Sequence, residues 1–229
     1  MATRAELDQI RLALARLSDA AQADWQYVWD SLRASDRVVV GRAMAQGWMW
    51  VLQRYGDMAA TLAADYFEVQ ALDLGVKPKV VLAPGMDESR AVPRLGWAIS
   101  TQESVANSLG LLDELVRQPY RSTFQDSAWK SGAGWARVPS GATTCAFCLM
   151  LASRGAVYGS EQLASLGVKG KKYHGHCDCT PTLVRGPQDF PEGYDPTGLY
   201  DQYDAARREA GSGDPKAILA ALRQQQGTN

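Results

Sequence analysis

The residues with the most reactive side chains in this chain sit close together. Cys145 and Cys148 stand three apart in TTCAFCLMLASRG, and further on YHGHCDCT carries His174, His176, Cys177 and Cys179. These six are all the cysteines and histidines of a 229-residue protein. Thiolate and imidazole are the ligands zinc prefers, four at a time in a tetrahedron. Cysteines three apart on a first helical turn present both sulfurs to one side. The unpaired amides and the helix dipole there favour the thiolate that metal binding requires. In an extended HGHCDC alternate residues share a face, which groups Cys177 with Cys179 and His174 with His176. A mononuclear site uses four of the six. The first reading is Cys145, Cys148, Cys177 and Cys179, and the second replaces one of the later cysteines with His174. The competing readings are inert core cysteines, disulfides and a redox dithiol, although no βαβ pattern surrounds this C-x-x-C.

The same inventory bears on catalysis. A hydrolytic zinc keeps an open ligand position and a base nearby. Asp178 lies between two candidate ligands and is expected to point away from the metal. Zinc deaminases combine H-x-E with P-C-x-x-C, whereas this chain has no H-x-E and Thr144 precedes Cys145. A Ser-His-Asp protease, like an HNH-type nuclease, needs a histidine free to act as a base, and both histidines belong to the cluster. The expectation is a structural zinc and no catalytic residue. Beside the cluster, Lys169, Lys171 and Lys172, joined by Arg154 and Arg185, read either as a solvated loop or as a contact for nucleic-acid phosphates. Tyr173 is the one aromatic residue interleaved with them, too little for a single-strand stacking platform.

Long helices must position these segments. Leu7, Ile10, Leu14, Leu17, Ala21, Trp25, Val28 and Leu32 recur at steps of three and four, which predicts one amphipathic helix. A second is predicted from an N-cap at Asp36, with Val40, Met44, Trp48, Val51, Tyr55, Met58, Leu62, Tyr66 and Val69 on one stripe and Gly75 and Pro78 at its end. The two are expected to pair as a hairpin, with Gly41, Gly47 and Gly56 either weakening the second helix or admitting a close neighbour. Trp48 and Trp50 are two apart on a helix and cannot both face one core. One of them therefore suits an interface, where tryptophan is a favoured anchor. KPKVVLAPG predicts a short extended piece. A further helix is expected from Trp97 to Val116, interrupted at Pro119 and continued to about Lys130. SGAGWARVPSGA and LVRGPQDFPEGYDP read as loops. The Cys145–Cys148 helix is expected to be capped by Thr143 or Thr144 and closed by Gly155. Asp195-Pro196 and Asp214-Pro215 each announce a short helix with an Asp cap and proline in the first turn.

The fold class is thus mainly α: a helical hairpin over 1–76, a connector with middle helices over 77–132, a loop-rich zinc-stabilised module over 133–190, and a helical tail over 191–229. The 24 Lys and Arg against 25 Asp and Glu give no global charge that would select nucleic acid or a membrane surface. No stretch is apolar for long enough to cross a bilayer or to serve as a signal peptide. A protein kept in a reducing cytoplasm is therefore expected, where cysteines are more often ligands than disulfides.

WARVPSGATTCAFCLMLASRGAVY followed by YHGHCDCTPTLV resembles the MuF-like minor head proteins of tailed bacteriophages, in the form found among actinobacterial phages. The likeness spans roughly residues 95–190, and its pattern falls on Cys145, Cys148, His174, Cys177 and Cys179, with Arg137, Arg154 and Gly155 in matching stretches. The resemblance implies a low-copy virion protein inside the capsid, made in the host cytoplasm. It would bind the portal protein and assist head assembly, DNA packaging or DNA delivery, with the major capsid or scaffold protein and packaged double-stranded DNA as further partners. The rival readings are a zinc-dependent nuclease or capsid maturation protease, and a zinc-containing DNA-binding module.

Overall fold

The computed structural model describes residues 2–32, 37–100, 104–141, 144–157 and 179–227. Helix α1 (Arg4–Leu32) and helix α2 (Arg37–Asp73) form the predicted hairpin. They run antiparallel. Tyr55 donates to Asp24 at 2.8 Å, and near the other end Ile10 shares a groove with Tyr66. Gly47 makes a close approach possible, since a Cβ there would lie 2.6 Å from Val28 Cγ1. The Asp36 cap lies outside the described residues. The far end of α2 closes as expected at Gly75 (φ 65°), with Val76 N–H bonded to Ala71 O at 2.8 Å and Gly75 N–H to Leu72 O at 3.0 Å, a Schellman turn.

The buried stripe of α2 is only partly the predicted one. Met44, Trp48, Val51, Tyr55 and Tyr66 are buried, but Met58 and Val69 are 48% and 55% exposed. Leu52, Ala59, Ala63, Phe67 and Ala71 are inside instead. The reason is a second neighbour. Helix α4 (Ser104–Lys130) packs along α2 as well as α1, so α2 turns two adjoining faces inward.

The middle of the chain also departs from the periodicity. Two helices replace the one expected from Trp97. Helix α3 (Glu88–Ile99) starts at an Asp87 cap whose carboxylate accepts from Ser89 N–H at 2.8 Å, and ends where Ser100 N–H and Oγ both bond Trp97 O. Helix α4 then runs straight through Pro119, which was expected to interrupt it. The ring faces Gly56 of α2, where an added Cβ would stand 3.2 Å from Pro119 Cγ. Packing along both sides of α4 thus holds a helix that its local sequence would break.

The extended piece is present as a strap across α4. Lys79, Val81 and Ala83 donate their N–H groups to Ser131 Oγ, Ser127 Oγ and Thr123 Oγ1 at 2.8, 2.8 and 2.9 Å. Two residues of extended chain advance ~6.6 Å and four residues of helix ~6.0 Å, so alternate amides meet every fourth side chain.

A strand within SGAGWARVPSGA corrects its reading as a loop. Strand β1 (Trp135–Pro139) pairs antiparallel with β2 (Cys179–Leu183), in register from Trp135 opposite Leu183 to Pro139 opposite Cys179. Both strands are buried almost throughout. A strand covered on two faces lacks the polar alternation that identifies strands in sequence. Gln70 of α2 anchors the sheet by accepting Leu183 N–H at 2.8 Å, and Arg4 of α1 reaches the carbonyls of Pro139 and Ser140, each at 3.2 Å.

Helix α5 (Ala146–Ala152) packs on β1. A 3-10 turn (Pro187–Asp189) lies within the predicted second loop. Helices α6 (Pro196–Ala210) and α7 (Pro215–Gln226) have the predicted caps, Asp195 accepting from Thr197 and Gly198 N–H and Asp214 from Lys216 N–H.

Among the described residues the core has three main parts. Trp25 and Trp48 (centroids 4.8 Å apart, edge to face) sit with Leu52, Leu95 and Leu112 in the part built from α1–α4 alone. Phe67, Phe124, Trp135 and Leu183 join the sheet to that bundle, and Ala146, Ala206, Ile218 and Leu222 hold α5 against α6 and α7. The chain is mainly α, as expected.

Candidate metal centre

The pairing of β1 with β2 brings Cys179, the first residue of β2, to the end of the sheet beside which α5 begins. Helix α5 contributes Cys148 from its first turn and Cys145 from the position before it. Cys148 and Cys179 are buried at 0% and 6% exposure and form one contact cluster, with Cys145 packed against it. None of the three is in a disulfide. Two segments distant in sequence thus place three sulfurs together.

The local geometry revises the capping expectation. Cys145 itself is the N-cap of α5, extended at φ −66° and ψ 153°, and its Sγ accepts Cys148 N–H at 3.3 Å. Thr143 lies outside the described residues. An amide donated to sulfur stabilises the thiolate over the thiol, for the same reason that hydrogen bonds to a carboxylate favour its charged form. This is the electronic condition a metal ligand needs. Tyr194 Oη donates to Ala152 O at 2.7 Å and Gly155 takes φ +64° just past the last turn, which fixes the other end of this short helix.

His174, His176, Cys177, Asp178, Lys169, Lys171 and Lys172 lie outside the described residues. Among the described residues no group of three or more His, Cys, Asp or Glu side chains has the disposition to hold a metal ion. The three sulfurs are neighbours, and on the described residues alone they do not make a metal site. Of the flanking basic residues, Arg154 is exposed, whereas Arg185 is paired with Asp189 at 3.3 Å. Burial pushes the Asp189 carboxyl up, but hydrogen bonds from the Arg185 and Gly186 groups outweigh it and hold the carboxyl below its ordinary value.

Two features escaped sequence reading. Arg137 is fully buried in β1, its guanidinium 6.0 Å from the Trp135 ring centroid. A cleft of about 520 Å³ opens between α1 and α4 and reaches Cys179 and Thr180 at its sheet end, with Arg11, Arg117 and Arg121 in its wall. Arg117 and Arg121 are one turn apart, a spacing that shows a shared helix face. Nothing in the sequence could bring Arg11 to them.

Trp48 is buried and Trp50 is 49% exposed, as their spacing required. Trp97 and Trp129 are 69% and 59% exposed, and Tyr27, Met58 and Leu72 also face outward. Among the described residues no helix is long and apolar enough to cross a membrane.

The family model described as VG15 protein matches residues 1–206. The Gene 15 protein of Mycobacterium phage L5 is 28% identical over 214 aligned positions, covering 66% of this chain and 70% of that protein. No solved structure matches the chain.

Proposed function

The chain belongs to the VG15 protein family and is similar to a bacteriophage protein, and from those premises we propose that it is a MuF-like minor capsid protein. In this reading it sits inside the phage head on the portal protein. There it assists head assembly, DNA packaging or DNA delivery, and has no catalytic step of its own. Zinc bound by Cys145, Cys148 and Cys179, with Cys177 or His174 completing the set, holds α5 and the sheet together.

The observation that carries the docking role is the outward-facing tryptophan on a bundle whose core is already filled. Trp50 and Trp97 leave about half or more of their surface in solvent while Trp25 and Trp48 saturate the interior. Large aromatic rings left on a surface are the usual anchors of protein interfaces. The sulfur cluster supports the zinc assignment, and a small sheet with short helices gains from a metal tie what its limited core does not supply.

The test is co-purification with the portal protein of the same phage. Trp50→Ser and Trp97→Ser together are expected to weaken capture by about tenfold or more, because each interface tryptophan is worth ≥ ~1 kcal/mol. Undiminished capture by the folded double variant, or none by the parent chain, refutes the docking role.

A further inference from the structure

The cleft between α1 and α4 carries a charge pattern that a capsid-docking role does not use. Its wall holds Arg11, Arg117 and Arg121 against the single carboxylate of Asp113, three positive charges minus one negative, in company with Gln22 and Thr180. The guanidiniums lie at graded depth. Side-chain exposure is 37% at Arg11 and 18% at Arg117, and Arg121 is 5% exposed.

One of the three has a donor to spare. Arg11 Nε is buried with no hydrogen-bond partner among the described residues, Asp8 Oδ1 standing 3.8 Å away and Asp8 also facing Arg4 at 3.6 Å. Arg117 gives Asp113 one hydrogen bond, from Nε at 2.7 Å, and Ser18 donates to the same carboxylate oxygen. That arrangement fixes the Arg117 side chain in the cleft wall. A buried N–H donor is costly unless an acceptor meets it.

We propose that this cleft binds a phosphate group, gripped by Arg11 and Arg117 with Arg121 behind them. Arginine's planar fork matches phosphate oxygens two at a time. Guanidiniums contributed by two helices fit an anion with several oxygens better than a carboxylate with one edge. The volume is that of a small-ligand pocket. The phosphate can be free or on a small nucleotide, or it can belong to a DNA backbone.

The experiment titrates the full chain with inorganic phosphate at constant ionic strength, following binding by calorimetry and the arginine Nε–H resonances by NMR. Arg11→Gln and Arg117→Gln are each expected to weaken binding by about tenfold or more, since each removes a charge-assisted bond. Arg16→Gln, on the other side of α1 in the groove with α2, leaves it unchanged. Asp113→Asn is expected to tighten it. Arg11→Gln gives up no hydrogen bond of Nε among the described residues, so the test stands even if Arg117→Gln does not fold. No saturable response in the parent chain, or an equal response in Arg11→Gln, overturns the proposal. A short DNA duplex that displaces phosphate from these arginines identifies the backbone as the source. Saturation by phosphate or a nucleoside monophosphate without displacement by duplex identifies a small ligand.

Discussion

At the scale of single residues, Cys145 has two separable duties. Its Sγ caps α5 by accepting Cys148 N–H, and in the proposed centre it also binds zinc. Serine is at least as good a cap as cysteine, but its hydroxyl does not replace a zinc thiolate. Cys145→Ser is therefore expected to keep α5 capped while lowering bound zinc well below one per chain by elemental analysis. Thermal unfolding should become insensitive to chelator. A Cys145→Ser protein with full zinc and parent stability would leave the sulfur as a cap alone. That the sulfurs form a cluster was legible because cysteines stand out by type and spacing, whatever the fold between them. The buried Arg137 and the phosphate cleft were not. Their meaning depends on neighbours that arrive from other elements, and an isolated arginine in sequence reads as surface.

At the scale of elements, legibility followed the number of faces buried. Helices α1, α6 and α7 carry one stripe or a strong Asp-Pro start, and both signals survive folding. Helix α2 lies between α1 and α4, so a single-stripe reading placed Met58 and Val69 inside and left out Ala59, Ala63 and Phe67. Strand β1 has no regular alternation to read, and β2, which alternates Thr180 and Thr182 with Cys179, Pro181 and Leu183, carries a proline at its centre that argues against a strand. The strap over residues 79–83 was seen as extended, but what holds it was not, because serine and threonine at every fourth position look like ordinary polar surface. Ser127 is buried and satisfies the half-buried Val81 N–H. Ser127→Ala leaves that amide without its acceptor and is expected to cost about 1–3 kcal/mol in chemical denaturation. Amide exchange at Val81 should accelerate with it. Ser131→Ala, at the exposed end of the strap where water can substitute, should cost less. Equal and negligible losses at both positions would show that the strap is held by its apolar side chains instead.

For the whole molecule, the division of the core decides what metal removal does. The Trp25–Trp48 part is made by α1–α4 alone and needs nothing from the sulfur cluster. The sheet leans on the bundle through Phe124, Trp135 and Leu183, while among the described residues α5 packs mainly against β1, α6 and α7 and enters the bundle's cluster at Ala152. A tie between α5 and the start of β2 therefore stabilises one end of the protein and not the other. Stability of this kind is regional, and exchange protection reports it region by region. On chelation, amides of α5 and the Val138–Thr180 end of the sheet are expected to lose protection by about tenfold or more, as metal-coupled folding requires. Amides around Trp48 and Leu112 should keep theirs, and readdition of zinc should restore the rest. Leu183, held by Gln70 from α2, marks the boundary. Its N–H should remain protected while Cys179, at the other end of the same strand, opens. Uniform loss along the chain would mean that the metal supports the whole fold, and no loss anywhere would remove zinc from the account of how α5 is held.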